Sequence, residues 1–136
     1  MARILSVDFG RRRIGLAVCD ELQISVRGLP TLQVRNFNDS IAQVAQVAGD
    51  QAAEEVVVGL PLNMDGSRGD MAQISENFAS QLAVLCNMPV RTFDERLSSV
   101  GAKRELNAMQ KKKRKGEVDR LAAILILETY LQHKGR

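Results

Sequence analysis

Residues 3–18 restrict the fold more than any other stretch. Two short apolar, β-branched runs, residues 3–8 and 14–20, are separated only by a turn that holds Gly10 and three consecutive arginines, Arg11, Arg12 and Arg13. A gap that short predicts an antiparallel hairpin. The first run ends on a carboxylate, Asp8, directly before the basic turn. That juxtaposition suits phosphate chemistry, with Asp8 as one member of a metal-binding carboxylate cluster. A third strand over residues 24–34, interrupted by Gly28 and Pro30, reads as a bulged or edge strand and completes a meander.

After the meander the pattern changes to alternation. Ser40 and Gln43 match a capping box ahead of Ile41, Val44, Ala45 and Ala48 at helical spacing. Residues 54–59 form an apolar run too short for a helix, ending at Leu60 and Pro61, and predict a buried strand. A polar loop, residues 63–69, precedes a second helix that starts near Asp70, carries a core stripe of Met71, Ile74, Phe78, Leu82 and Leu85, and stops around Asn87. Residues 90–93 predict a fifth strand with Asp94, Glu95 and Arg96 at its end; Ser98 and Ser99 then cap a third helix running to about Met109. The basic run of residues 110–116 follows, and a last helix from Glu117 to about His133 is apolar nearly all round between Leu121 and Leu127.

The order β-β-β-α-β-α-β-α-α predicts an α/β domain spanning residues 1–136, with a five-stranded mixed sheet in the order 3-2-1-4-5 and helices on both faces, because right-handed crossovers lay strands four and five parallel to strand one. At 136 residues the chain is long enough for a real core. Cys19 and Cys86, far apart and in apolar contexts, read as reduced thiols; no C-x-x-C spacing suggests zinc. The N-terminus has no signal-peptide pattern and no run approaches a membrane span, so a cytoplasmic protein is expected. A net charge of +3 permits an anionic partner. With one tyrosine, four phenylalanines and no tryptophan, base stacking cannot dominate any nucleic-acid affinity, and phosphate contacts must.

Topology also gathers the acids. Three parallel strands share one carboxyl edge, where ligands of open α/β sheets collect. Asp8, the loop at residues 60–66, and Asp94, Glu95 and Arg96 fall there, with Asp119 in the first turn of the last helix as the remaining candidate. Clustered carboxylates repel unless a cation neutralises them, and Mg²⁺ or Mn²⁺ suits oxygen donors beside a substrate phosphate. Arg11, Arg12, Arg13 and Arg96 are phosphate-binding candidates through bidentate hydrogen bonds. Asn63 either lines the site or merely shapes a turn; the run that includes Lys112 and Lys115 is either a solvated linker or a phosphate clamp. Asp94 and Glu95 are neighbours, so only one is expected to face the site.

Several motifs carry a resemblance. Val7-Asp8-Phe9-Gly10 with Ile14-Gly15-Leu16-Ala17, Val58-Gly59-Leu60-Pro61-Leu62-Asn63-Met64-Asp65-Gly66, Asp94-Glu95-Arg96-Leu97-Ser98-Ser99, and Val118-Asp119 with Ala122-Ala123-Ile124-Leu125 together resemble the YqgF (RuvX) family. The resemblance covers nearly the whole chain in order. It implies a ribonuclease H-like, RuvC-related fold, a nuclease processing the 5′ end of pre-16S ribosomal RNA, and Asp8, Glu95 and Asp119 as metal-binding catalytic acids. The chain departs from related Holliday-junction resolvases at Gly59-Leu60-Pro61 and at Ala122, where those enzymes carry acids.

The expected partner is therefore structured RNA, with branched DNA or ribosomal precursor particles as further candidates, bound by a monomer or weak homodimer. The alternatives are a junction resolvase, normally a symmetric dimer, and a non-catalytic nucleic-acid-binding protein, which the missing fourth acid favours. Half of an actin-like ATPase shares the acid-and-basic-turn signal, but nucleotide would need a second lobe.

Overall fold

The computed structural model describes residues 2–101 and 115–134, with the backbone alone at Lys115. Strands β1 (Ile4–Asp8), β2 (Arg13–Cys19), β3 (Val26–Gln33), β4 (Glu55–Leu60) and β5 (Val90–Asp94) form one sheet in the order β3-β2-β1-β4-β5. β1, β2 and β3 pair antiparallel, whereas β4 runs parallel to both β1 and β5. The register of β2 on β3 shifts between Ile14 and Leu16, opposite Pro30 and Thr31, which confirms the expected bulge. Proline has no N–H to give a ladder, so the irregularity falls where the sheet loses least.

Helices α1 (Phe37–Asp50) and α2 (Asp70–Cys86) cover one face, and α3 (Lys115–Lys134) covers the other. The strands divide their side chains by parity. In β1, Leu5 and Val7 join the α1 and α2 core, while Ile4 faces α3 and the Ser6 hydroxyl donates to the Ala123 carbonyl of α3 at 2.7 Å. Asp8 continues the Ile4 and Ser6 row, on the α3 side. Phe9, Phe37 and Phe78 pack together under α1 and α2, with centroids 4.7–6.5 Å apart.

Two local expectations are corrected. Helix α1 starts at Phe37, because Asn36 accepts from the Asp39 N–H at 2.8 Å and is the N-cap. Ser40 is therefore inside the first turn, where its hydroxyl donates back to the Phe37 carbonyl. In α2 the buried line is Ala72, Ser75, Phe78, Ala79 and Leu82, and Leu85 is 58% exposed. Small residues let this helix sit close, and they turn the larger Leu85 outward. As expected, α2 starts at Asp70, with Gly69 as its N-cap, and Asn87, in the left-handed region at φ 53°, ends it. Val100 and Gly101 open a helical turn, but the expected helix to Met109 and most of the basic run, Lys112 included, lie outside the described residues. Among the described residues no helix is long and apolar enough to cross a membrane.

Candidate metal and phosphate site at the carboxyl edge

Asp8 is the last residue of β1 and is only 6% exposed. Its partner across the antiparallel pair is Gly15 of β2. On the other side, one step past the parallel pair Val7 and Val58, stands Gly59 of β4. Both glycines open onto the α3 face. A Cβ at Gly15 would lie 2.0 Å from the Asp119 carbonyl oxygen, so α3 docks backbone against backbone at this point; the helix starts at Lys115, which puts Asp119 one turn in and not in the first turn as expected. A Cβ at Gly59 would lie 2.6 Å from Ile126 Cδ1 and 3.1 Å from Glu95 Oε2. The Glu95 carboxylate thus occupies the space that a side chain at position 59 would fill.

Asp94 and Glu95 divide their work as their adjacency demands. Asp94, at the end of β5, accepts from the Arg96 backbone N–H at 2.9 Å and takes the Arg96 guanidinium at 2.8–3.1 Å, capping the 3₁₀ turn Glu95–Leu97. These Arg96 bonds hold the Asp94 carboxyl below the usual carboxylate range. Glu95 is the member turned inward, at 8% exposure.

The arginines are placed differently from one another. Arg13 Nε donates to Asp119 Oδ2 at 2.9 Å, so one expected phosphate contact holds one expected metal acid. Arg96 also donates to the Met64 carbonyl at 3.3 Å and lies against Gly66, tying the β4 loop to the end of β5. Arg11 and Arg12 are exposed on the hairpin turn. Asn63 belongs to the loop's own structure: its N–H donates to the Ser67 carbonyl, its amide to the Ser67 hydroxyl at 2.9 Å, and Gly66 adopts φ 87° to close the turn. The hydroxyl and N–H of Ser67 keep the Asp65 carboxyl low.

One basic residue escaped the sequence reading. Arg35 joins Arg12, Arg13, Gln33 and Val34 around an open groove of about 410 Å³. The signal lay in the meander: once β2 pairs with β3, Arg13 faces Gln33, and the chain beyond β3 must return beside the arginine turn.

Oxygen-only donors of this kind suit Mg²⁺ or Mn²⁺, and the glycine-made space beneath Glu95 gives the carboxylates a seat near Asp8. Among the described residues, however, no three Asp, Glu, His or Cys side chains already form a metal-binding group. Asp119 is turned toward Arg13.

Against known proteins, the model of the RuvX family, described as Holliday junction resolvase, matches residues 2–133. A protein of Anaeromyxobacter dehalogenans (strain 2CP-1 / ATCC BAA-258) named "Putative pre-16S rRNA nuclease" is 42% identical over 135 residues, covering 98% of both chains. A Synechococcus elongatus protein of the same name is 40% identical over 132 residues, 96% of this chain and 89% of that one. Among solved structures, T. thermophilus RuvC in complex with a Holliday junction substrate superposes with a TM-score of 0.65 at 16% identity, over 98% and 97% of the two chains. The fowlpox virus resolvase bound to Holliday junction DNA gives 0.61 at 13% identity, over 98% and 99%. The fold is therefore ribonuclease H-like of the RuvC type, with the predicted strand order. The ordered motifs, the strand order and the full-length match agree: this chain belongs to the RuvX family.

Proposed function

We propose that this protein is a divalent-metal-dependent endonuclease that hydrolyses phosphodiester bonds in structured RNA and trims the 5′ end of the 16S ribosomal RNA precursor in the cytoplasm. The observation that carries the reading is the delivery of Asp8, Glu95 and Asp119, from three distant parts of the chain, to one sheet edge on one face through the openings at Gly15 and Gly59. Relatives named for pre-16S rRNA nuclease activity support the substrate.

In this reading Asp8, Glu95 and Asp119 hold Mg²⁺ or Mn²⁺, which supplies an activated water and neutralises charge at the reacting phosphate. Arg11, Arg12 and Arg13 contact the substrate backbone from the hairpin turn, and Arg96 secures the loop that carries Asn63 over the β5 end. Lys112 and Lys115, whose side chains lie outside the described residues, add phosphate contacts in this reading. The water oxygen bonds to phosphorus, the bond to the leaving ribose oxygen breaks, the water's proton passes to a site carboxylate or solvent, and the leaving oxygen takes up a proton from solvent. The protein acts as a monomer or weak dimer on ribosomal precursor particles.

A second reading, cleavage of four-way DNA junctions, draws on the family description and on structures holding such junctions. One experiment separates the two. Purified protein is incubated with 16S precursor RNA and with a four-way DNA junction, with and without Mn²⁺, beside Asp8→Asn. Mn²⁺-dependent RNA cleavage that disappears in Asp8→Asn is expected. Cleavage of the junction alone favours the second reading. Binding of either substrate without cleavage under any metal overturns both and leaves a nucleic-acid-binding protein.

A further inference from the structure

Arg13 belongs to two neighbourhoods. Its Nε donates to Asp119 Oδ2 at 2.9 Å, and the same side chain lines the polar groove with Arg12, Gln33 and Arg35. Backbone geometry joins the two: β2 begins at Arg13, which pairs with Gln33, and the Val34 N–H donates to the Arg12 carbonyl at 2.9 Å. The arginine turn and the end of β3 are one rim. Its third guanidinium, Arg35, stands 3.7 Å from Asp39 on a side chain that is 87% exposed. While Asp119 holds Arg13, the groove has lost one positive charge and the acidic edge has lost one ligand. The pair is partly open to water, with side chains 38% and 20% exposed, and ion pairs of that kind are weak enough to exchange.

We propose that the Arg13 and Asp119 pair is an exchange latch that couples cation loading to phosphate capture. Asp119 gives up Arg13 when it takes a divalent cation, and the released guanidinium turns into the groove, where its planar fork receives a nucleic-acid backbone phosphate. Cation and nucleic acid break the same ion pair, so each strengthens the binding of the other by the same factor. The inference rests on the reading of Asp119 as a cation ligand. It adds an order to the site: without a cation, the acid closest to the basic rim keeps the most inward arginine from the substrate.

The test uses the full chain and two binding measurements, neither of which requires turnover. Free Mn²⁺ is followed by electron paramagnetic resonance during titration of wild type, Arg13→Gln and Arg12→Gln. Arg13→Gln is expected to bind Mn²⁺ about three- to fivefold tighter, the range that loss of a competing exposed pair allows. Arg12→Gln removes the same charge from the same rim without touching Asp119, and it changes affinity less. Arg13→Lys keeps the charge without the fork and falls between them, which also covers a failure of Arg13→Gln to fold. In the second measurement a labelled RNA hairpin is titrated in EDTA. Asp119→Asn binds it more tightly than wild type, and the gain disappears in the Arg13→Gln/Asp119→Asn double variant. Equal Mn²⁺ affinity in wild type and Arg13→Gln, equal effects of Arg12→Gln and Arg13→Gln, or an Asp119→Asn gain that survives without Arg13 would each overturn the latch while leaving the metal site standing. No Mn²⁺ binding by any of the proteins overturns the metal-site reading, and the latch with it.

Discussion

At its carboxyl end α3 meets Glu55 of β4, and at its amino end it carries Asp119 to the edge where Asp8 and Glu95 stand. Both ends touch the same face of the same sheet, and both involve buried carboxylates. Around Glu55 the partners are a phenol and two cations: Tyr130 donates its hydroxyl, Lys134 Nζ lies at 3.0 Å, and Arg91 Nε at 3.6 Å. At the other end, Glu95 rests over a glycine and Asp8 has a glycine across its strand pair. A carboxylate surrounded by cations and hydroxyls has its charge balanced by the fold, which makes it a clamp. Asp8 and Glu95 stand instead beside glycines, at positions where a larger residue would collide with α3 or with the Glu95 carboxylate itself. The difference is one of setting: Glu55 is enclosed by side chains of β5 and α3, whereas the two acids to which the proposed function assigns a cation stand at glycine positions of the carboxyl edge.

The sharpest way to break this contrast is to neutralise one acid at each end. Glu95→Gln is expected to lower Mn²⁺-dependent RNA cleavage on the order of 10³-fold, the scale for losing a group that acts on the transition state's charge. Glu55→Gln should do the reverse, lowering stability by about 1–2 kcal/mol because Lys134 and Tyr130 lose a charged acceptor, with cleavage rate unchanged. If the folded Glu55→Gln protein loses cleavage, the two ends of α3 are not functionally distinct.

The glycines provide the next test. Gly15→Ala places a methyl group 2.0 Å from a backbone oxygen of α3, which cannot move without lifting the helix. A loss of about 3 kcal/mol, the upper part of the overpacking range, is expected in urea unfolding. Gly59→Ala meets the far end of the flexible Ile126 side chain and the Glu95 carboxylate. It should cost only about 1 kcal/mol in stability, while displacing Glu95 and reducing cleavage far more than that figure suggests. Equal stability losses at the two positions would mean that the sheet, rather than α3, sets the clearance.

Much of this was legible in the residues. The short hairpin gap and the βαβ spacing led to the observed strand order, because handedness leaves few alternatives once the hairpin is fixed. Pro30 marked the bulge, whereas Gly28 pairs in register with Ala17 and lies under the Arg120 side chain of α3. The adjacency of Asp94 and Glu95 foretold that they would part, though only the 3₁₀ turn shows which one faces inward. What stayed hidden depended on register. Arg35 enters the basic rim only through the pairing of β2 with β3, and the bond from Arg13 to Asp119 joins residues 106 positions apart. Glu55 was read as the start of an apolar strand, since its partners arrive from the far end of the chain. The face of α2 was misjudged at Leu85 because small residues, not large ones, make its close contact.

The smallest expected effect lies at the Glu55 clamp and separates its phenol from its charges. Burial, then the hydrogen bond to Glu55, pushes the Tyr130 hydroxyl up to about 12 from its ordinary value of 10.0. The folded chain therefore favours the protonated phenol, and that stabilisation is complete below pH 10 and drains away as pH rises toward 12. Glu55 behaves in the opposite sense. Burial alone would raise it, but the bonds from Tyr130 and Lys134 outweigh burial and hold it below its ordinary 4.5, so its contribution is present above that pH and is lost on acidification. Tyr130→Phe should lower stability at neutral pH by about 0.5–1.5 kcal/mol, the net value of one hydrogen bond, and should remove the phenol's share of the alkaline decline. Urea midpoints of wild type and Tyr130→Phe should therefore converge between pH 10 and 12. Parallel curves across that interval would place the clamp's strength in Lys134 and Arg91 and make the phenol a packing group. At the amino end of α3, cleavage near neutral pH should be the same in both proteins, because Tyr130 lies eleven residues down the helix from Asp119 and, at about 1.5 Å per residue, some 16 Å away.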